Sequence, residues 1–145
     1  MWTKDLTVGI EEIDSQHRLL FRQLEQLLDA CLSGREQEEV LAMLGFLDGY
    51  VITHFETEEG LQLRYGYPGY ESHRAEHRAL LERHARFREE LGETGPTRDF
   101  VLRVNQALID WLSNHILTVD KAASTFLLKK MGLDADKIHE SSCSA

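Results

Sequence analysis

Apolar residues return every three or four positions along four long stretches of the chain, the repeat of α-helices that each turn one face inward. The first stretch places His17, Leu20, Leu24, Leu27 and Cys31 on that face, and the second Val40, Leu44, Leu47, Val51, His54, Glu58 and Leu61. The third places Tyr70, His73, His77, Leu80, His84, Phe87 and Leu91 there, and the fourth Val101, Val104, Leu108, Trp111 and His115. Turn-forming residues separate the stretches at Ser33 and Gly34, from Gly66 through Pro68 to Gly69, and from Gly92 to Pro96. The pattern predicts helices over about 13–32, 36–64, 70–91 and 97–117, and a short fifth over about 121–131.

Short connections make consecutive helices antiparallel, so the expected fold is all-α, an up-down-up-down four-helix bundle. Its 145 residues suit a single domain. Residues 1–11 read as an irregular arm in which Trp2, Val8 and Ile10 cover an edge, 13–131 as the bundle and fifth helix, and 132–145 as a polar tail.

Polar residues interrupt every apolar stripe, and the topology gathers them. The start of the first helix, the end of the second, the start of the third and the end of the fourth share one end of such a bundle. Those places hold His17; His54 and Glu58; His73 and His77; and His115. His73 and His77 are four apart and share a helix face, the spacing with which two imidazoles bind one metal, although surface pairs share it. Arg74 stands where a zinc protease motif needs its glutamate. His54 and Glu58 repeat the spacing; the pair reads either as a core hydrogen bond or as two ligands whose cation removes the cost of burying a carboxylate.

His115 and Asp120 are five apart and would diverge on a continuous α-helix, so the helix must break or tighten between them. Three β-branched residues, Ile116, Thr118 and Val119, weaken it there. Asp120 is then a ligand, an N-cap for the fifth helix, or both. A single histidine such as His17 is more often a core residue, but its depth in the bundle argues for a ligand. His84 is expected to have a core role or to support the ligands from behind, and His139 to be solvated. Five imidazoles and two carboxylates exceed the needs of one ion and suit two. With both carboxylates and an oxo or hydroxo group shared, three histidines complete six-coordination at one metal, and two leave the other five-coordinate and open.

The remaining composition narrows the function. Sixteen Lys and Arg against 25 Asp and Glu give a net charge of −9, which repels phosphate backbones, so nucleic acid is not an expected partner. Charges interrupt every apolar run, so no membrane insertion is expected; no basic region followed by an apolar run opens the chain, so the expected location is the cytoplasm. Cys31 and Cys143 lack metal or redox spacing and read as unpaired thiols.

The order His17, then His54-Phe55-Glu56-Thr57-Glu58, then His73 to His77, then His115 to Asp120, together with Trp2 to Ile10 and Ile13-Asp14-Ser15-Gln16-His17, resembles the hemerythrin family, in particular its single-domain bacterial members. The resemblance spans nearly the whole chain and covers all seven ligand positions. It implies a non-haem di-iron centre in which His73, His77 and His115 bind one iron, His17 and His54 the other, and Glu58 and Asp120 bridge them. It also implies reversible binding of dioxygen, for storage, transport or sensing, within a pocket of Leu20, Phe55, Trp111, Leu112 and Ile116. Such a lining excludes water and protects the reduced irons.

A di-iron oxidase or peroxidase, or an enzyme handling nitric oxide or peroxide, is the alternative. Ferritin-like catalytic sites use four carboxylates and paired Glu-x-x-His motifs, and no Glu-x-x-His occurs in this chain. The expected partner is dioxygen, with the chain a monomer; an oxygen-consuming enzyme that it supplies carries no signature in the sequence.

Overall fold

The computed structural model describes residues 2–143, with side chains described for residues 2–132. The helices are α1 (Glu11–Leu32), α2 (Gln37–Tyr65), α3 (Tyr70–Thr94), α4 (Arg98–His115) and α5 (Lys121–Cys143). A short 3-10 turn, Lys4–Leu6, precedes them, and a π-helical turn, Ile116–Asp120, joins α4 to α5. The all-α bundle and its antiparallel order are as the periodicity predicts. Contacts between His17 and Glu58, Glu58 and His73, and His73 and His115 bring opposite ends of successive helices together. At the far end Arg103, early in α4, meets Glu90, late in α3, with Nη2 2.6 Å from Oε1. No helix among the described residues is long and apolar enough to cross a membrane.

The chain supplies its own stops. Gly66 ends α2 in the left-handed conformation (φ 68°), which lets the N–H of Tyr67 reach back to the carbonyl of Gln62 at 2.9 Å. Thr97 starts α4 by accepting the N–H of Phe100 on its hydroxyl at 3.1 Å. The core between the helices is built from Leu20, Phe21, Leu24, Leu27, Leu47, Phe100, Val104 and Leu108, all nearly or wholly buried. Asn105 of α4 donates to the backbone carbonyl of Leu24 in α1 at 2.6 Å, a buried polar tie between two apolar faces. On α3 only His73, His77 and Leu80 are buried, so α3 holds the bundle chiefly through its first half. Leu41, Phe46 and Ile52 remain exposed on α2, beyond the seams the stripes predict.

Three expectations need correction. The fifth helix runs to Cys143 rather than ending near 131, because Gly132 is an isolated glycine without a proline after it, and Leu133 to Glu140 contain good helix formers. The expected tail is therefore helical over most of its length, while the readings of His139 and Cys143 as side chains lie outside the described residues. Cys31 is half-buried and unpaired among the described residues. Along α2 the inward face continues from Glu58 to Gln62, four residues on, rather than to Leu61, which is only partly buried.

The N-terminal arm is less irregular than its composition suggests. Leu6, Val8 and Ile10 are buried, with Trp2 packed against the same core. Asp14, itself buried, turns its carboxylate back to accept the N–H of Val8 at 2.8 Å and of Gly9 at 3.1 Å. Gly9 has φ 97°, and a Cβ there would come within 3.0 Å of Leu128 on α5. One carboxylate thus fastens the arm to α1 and glycine lets it pass under α5. Asp14→Ala is expected to destabilise the chain by about 1–3 kcal/mol, since a buried N–H loses its acceptor. Denaturant titration measures this; a change within error would show that the arm is held by its apolar contacts alone.

Candidate metal centre

Four helices and the π turn each send polar side chains to one buried point. His17 comes from α1, His54 and Glu58 from α2, His73 and His77 from α3, His115 from the last residue of α4 and Asp120 from the end of the π turn. All seven are buried. The four-residue pairs project together as helical geometry requires. The five-residue pair does not need a broken or tightened helix; the helix widens instead. The N–H of Lys121 bonds to the carbonyl of Ile116, a five-residue step, and the wider turn returns Asp120 to the face of His115, with Oδ1 3.1 Å from His115 Nε2. Because helix continues through Asp120 into α5, the aspartate is not an N-cap.

The donors fall into two sets that share both carboxylates. His73, His77 and His115 form one set with Glu58 and Asp120; His17 and His54 form the other with the same two acids. Each carboxylate offers one oxygen to each set. Glu58 Oε1 lies 2.8 Å from His54 Nε2 and 3.3 Å from His17 Nε2, while Oε2 lies 3.1 Å from the Nε2 atoms of both His73 and His77. Asp120 Oδ2 lies 3.2 Å from His17 Nε2, and Oδ1 lies 3.1 Å from His73 Nε2.

This donor set fits cations. His115 Nε2 faces His73 Nε2 at 3.1 Å and His77 Nε2 at 3.2 Å, nitrogen against nitrogen. Outward, the Nδ1 atoms of His54, His77 and His115 face Gln16 Oε1 at 2.7 Å, Glu59 Oε2 at 2.9 Å and Glu76 Oε2 at 2.9 Å. Those acceptors hold the ring proton on Nδ1, which leaves the Nε2 lone pair pointing inward. Gln62 faces His73 Nδ1 at 3.0 Å through its amide nitrogen, while its buried Oε1 has no partner. Half a turn of the amide gives that oxygen the Nδ1 proton and frees His73 Nε2 as well. Both Asp120 oxygens lack a well-aligned hydrogen bond and meet the imidazole nitrogens of His17, His73 and His115 at 3.1–3.2 Å. Inward lone pairs facing buried carboxylates call for positive charge.

Without a cation, protons balance the charge. Burial disfavours charged His17, but Asp120 and Glu58 outweigh it and hold its pKa at about 9; the same opposition holds His73 at about 9. Burial likewise pushes the Glu58 carboxyl upward, yet His54, His17 and His73 draw it well below the usual range. Asp120 is raised by burial and by Glu58 but brought down to about 2 by His115, His17 and His73.

The apolar positions expected around the site divide. Leu20, Phe55, Leu112 and Ile116 are buried. Phe55 stacks on His77, their ring centres 3.8 Å apart and the planes within 4°. Trp111 is only half-buried; it stacks on His115 at 4.3 Å and lines a surface depression with Glu76, Arg83 and Asn114. His84 does not stand behind the seven-residue cluster. It pairs with Asp48 and lines a separate cavity, because it lies seven residues beyond His77, two turns farther along α3. Sequence reasoning missed Gln16, Glu59, Gln62 and Glu76. Gln62 alone carried a signal, its four-residue spacing from Glu58.

The profile described as Hemerythrin HHE cation binding domain matches residues 8–125. The chain belongs to the hemerythrin family. It is 34% identical over 123 residues to a bacteriohemerythrin of Methylococcus capsulatus, covering 83% of this chain and 90% of the relative. It is 33% identical over 124 residues to one of Stenotrophomonas maltophilia, covering 84% of this chain and 77% of the relative. A crystal structure of wild-type hemerythrin superposes with a TM-score of 0.77 at 28% identity, covering 88% of this chain and 96% of the other.

Two expectations follow from the geometry. Glu58→Ala removes an oxygen from both donor sets, so metal analysis of the reconstituted variant should show one or both ions lost; a full complement would refute the shared role. Since the raised values of His17 and His73 lie above neutral pH, metal uptake near neutrality should expel about two protons per chain, and apparent affinity should rise with pH up to about 9. Calorimetry in buffers of different ionisation enthalpy measures the release, and a value near zero would contradict the proton balance.

Proposed function

We propose that this hemerythrin binds dioxygen reversibly at a non-haem di-iron centre, as a protein for oxygen storage, transport or sensing rather than an enzyme. In this reading His73, His77 and His115 hold one iron, His17 and His54 the other, and Glu58 and Asp120 bridge them, with an oxo or hydroxo group completing the pair. The observation that carries it is the unequal division of histidines around shared carboxylates: three against two leaves one position short of a protein ligand. Two ferrous ions in these positions supply the two electrons that reversible oxygen uptake requires.

The protein's own part is to hold and to exclude. Gln16, Glu59, Gln62 and Glu76 fix the imidazoles from behind, so the open position keeps its shape when a small ligand enters or leaves. Leu20, Phe55, Leu112 and Ile116 surround the cluster with apolar bulk that keeps water and protons away, which favours release of oxygen unchanged. Phe55 and Trp111 brace His77 and His115 by stacking. Only two anionic ligands enter the set, fewer than the four carboxylates of ferritin-like oxidation sites, which favours binding over substrate oxidation.

Anaerobic reconstitution with ferrous iron followed by metal analysis and visible spectra tests the proposal. The expected result is two irons per chain and an absorption band that appears with oxygen and vanishes on its removal over repeated cycles. Two irons that oxidise irreversibly while consuming oxygen or peroxide would shift the reading to an oxidase or peroxidase.

A further inference from the structure

We propose that the two metal positions are unequal by construction, and that Glu59 and Glu76 make the three-histidine position both the tighter and the more easily oxidised. The inference rests on the di-metal reading above and concerns what lies behind each imidazole. On the three-histidine side, His77 donates to the Glu59 carboxylate and His115 to the Glu76 carboxylate, both at 2.9 Å, and His73 faces the neutral Gln62. On the two-histidine side, His54 donates to the neutral Gln16, and His17 Nδ1 is buried with no partner. Two outer carboxylates therefore stand behind one donor set and none behind the other.

A carboxylate on the far nitrogen draws the ring proton toward itself and makes the metal-facing nitrogen a stronger donor. Its charge also favours the higher oxidation state of the nearer ion. Nothing nearby cancels the difference. Glu58 and Asp120 give one oxygen to each set, so they act on both positions alike. Arg74 lies 3.7 Å from Glu59 Oε1, and the Glu76 side chain is 49% exposed, so a counter-charge and solvent weaken the effect without reversing its sign. With Glu59 and Glu76 behind its imidazoles, the three-histidine position would be the one to give up the first electron of a diferrous pair to a one-electron oxidant.

The test uses the full, metal-free chain titrated with cobalt(II) without oxygen, followed by visible absorption and paramagnetic proton NMR, in which each ligating imidazole N–H gives a shifted resonance. The first equivalent is expected to shift the three-histidine group. The E59Q/E76Q double variant keeps an amide oxygen to accept each ring proton but removes the charge, and should weaken that first event by about 10-fold or more, leaving the second unchanged. Gln16→Ala should weaken only the second. In the iron-loaded double variant the potential of the one-electron step between the diferrous and mixed-valent forms should rise, because lost negative charge favours the reduced pair. A purely orienting role for the two glutamates would leave that potential unmoved. Two equal cobalt sites, or wild-type affinities and potential in the double variant, would overturn the inference and leave the di-metal site standing. Failure to bind two cobalt ions would overturn the proposed function itself.

Discussion

Two carboxylates, Glu58 and Asp120, are buried side by side, and the rest of the bundle is arranged so that they can be. An isolated carboxylate taken out of water costs several kcal/mol even after relaxation, and two neighbouring ones repel each other as well. Five imidazoles answer that demand, each arriving from a helix end, and no single helix supplies more than two. The antiparallel order is thus more than a packing solution: it carries charge compensation from distant parts of the chain to one point. Outside this cluster the buried interior is mainly hydrocarbon, with Asn105 and Gln62 tied to named partners. Among the described residues most of the buried polar side chains gather at one end of the bundle.

Much of this was legible in the sequence because helices have a fixed period. His73 with His77, and His54 with Glu58, declare a shared face by spacing alone, and glycine- and proline-rich turns declare which ends meet. The five-residue step from His115 to Asp120 showed that a regular α-helix fails there, but it carried no sign of whether the turn narrows or widens. The outer partners were hidden for a different reason. Glu59 and Glu76 sit among many acidic residues on helices whose outer faces are meant to be charged, and only the third dimension distinguishes a solvated glutamate from one that holds an imidazole. His84 left two roles open, and of these it keeps the place among core residues, since an inward helical position places a side chain on a face and says nothing of how far along the bundle it lies.

The arm shows how local chemistry can give order to a segment with no periodicity. Asp14 belongs to the first turns of α1 yet spends its carboxylate on residues that precede the helix, and the buried Leu6, Val8 and Ile10 follow from that fastening. Short polar side chains near a helix start are commonly read as caps for the helix itself. Here the helix start acts as an anchor for what comes before it.

The π turn has a consequence beyond the candidate metal centre. Each residue in an α-helix advances the chain by about 100° around the axis, so one residue more in a single turn changes the direction faced by everything after it. Ala123, Ser124 and Leu127, buried by α5, owe their orientation to the same widened turn that brings in Asp120. So does Leu128, which meets the arm at Gly9. The placing of Asp120 in the cluster and the seating of the last helix are therefore set by one phase. Closed as a regular α turn with all five residues kept, the segment would behave like a mis-cut thread, adding about 100° that turns the aspartate out of the cluster and lifts the apolar side of α5 from the bundle in the same motion.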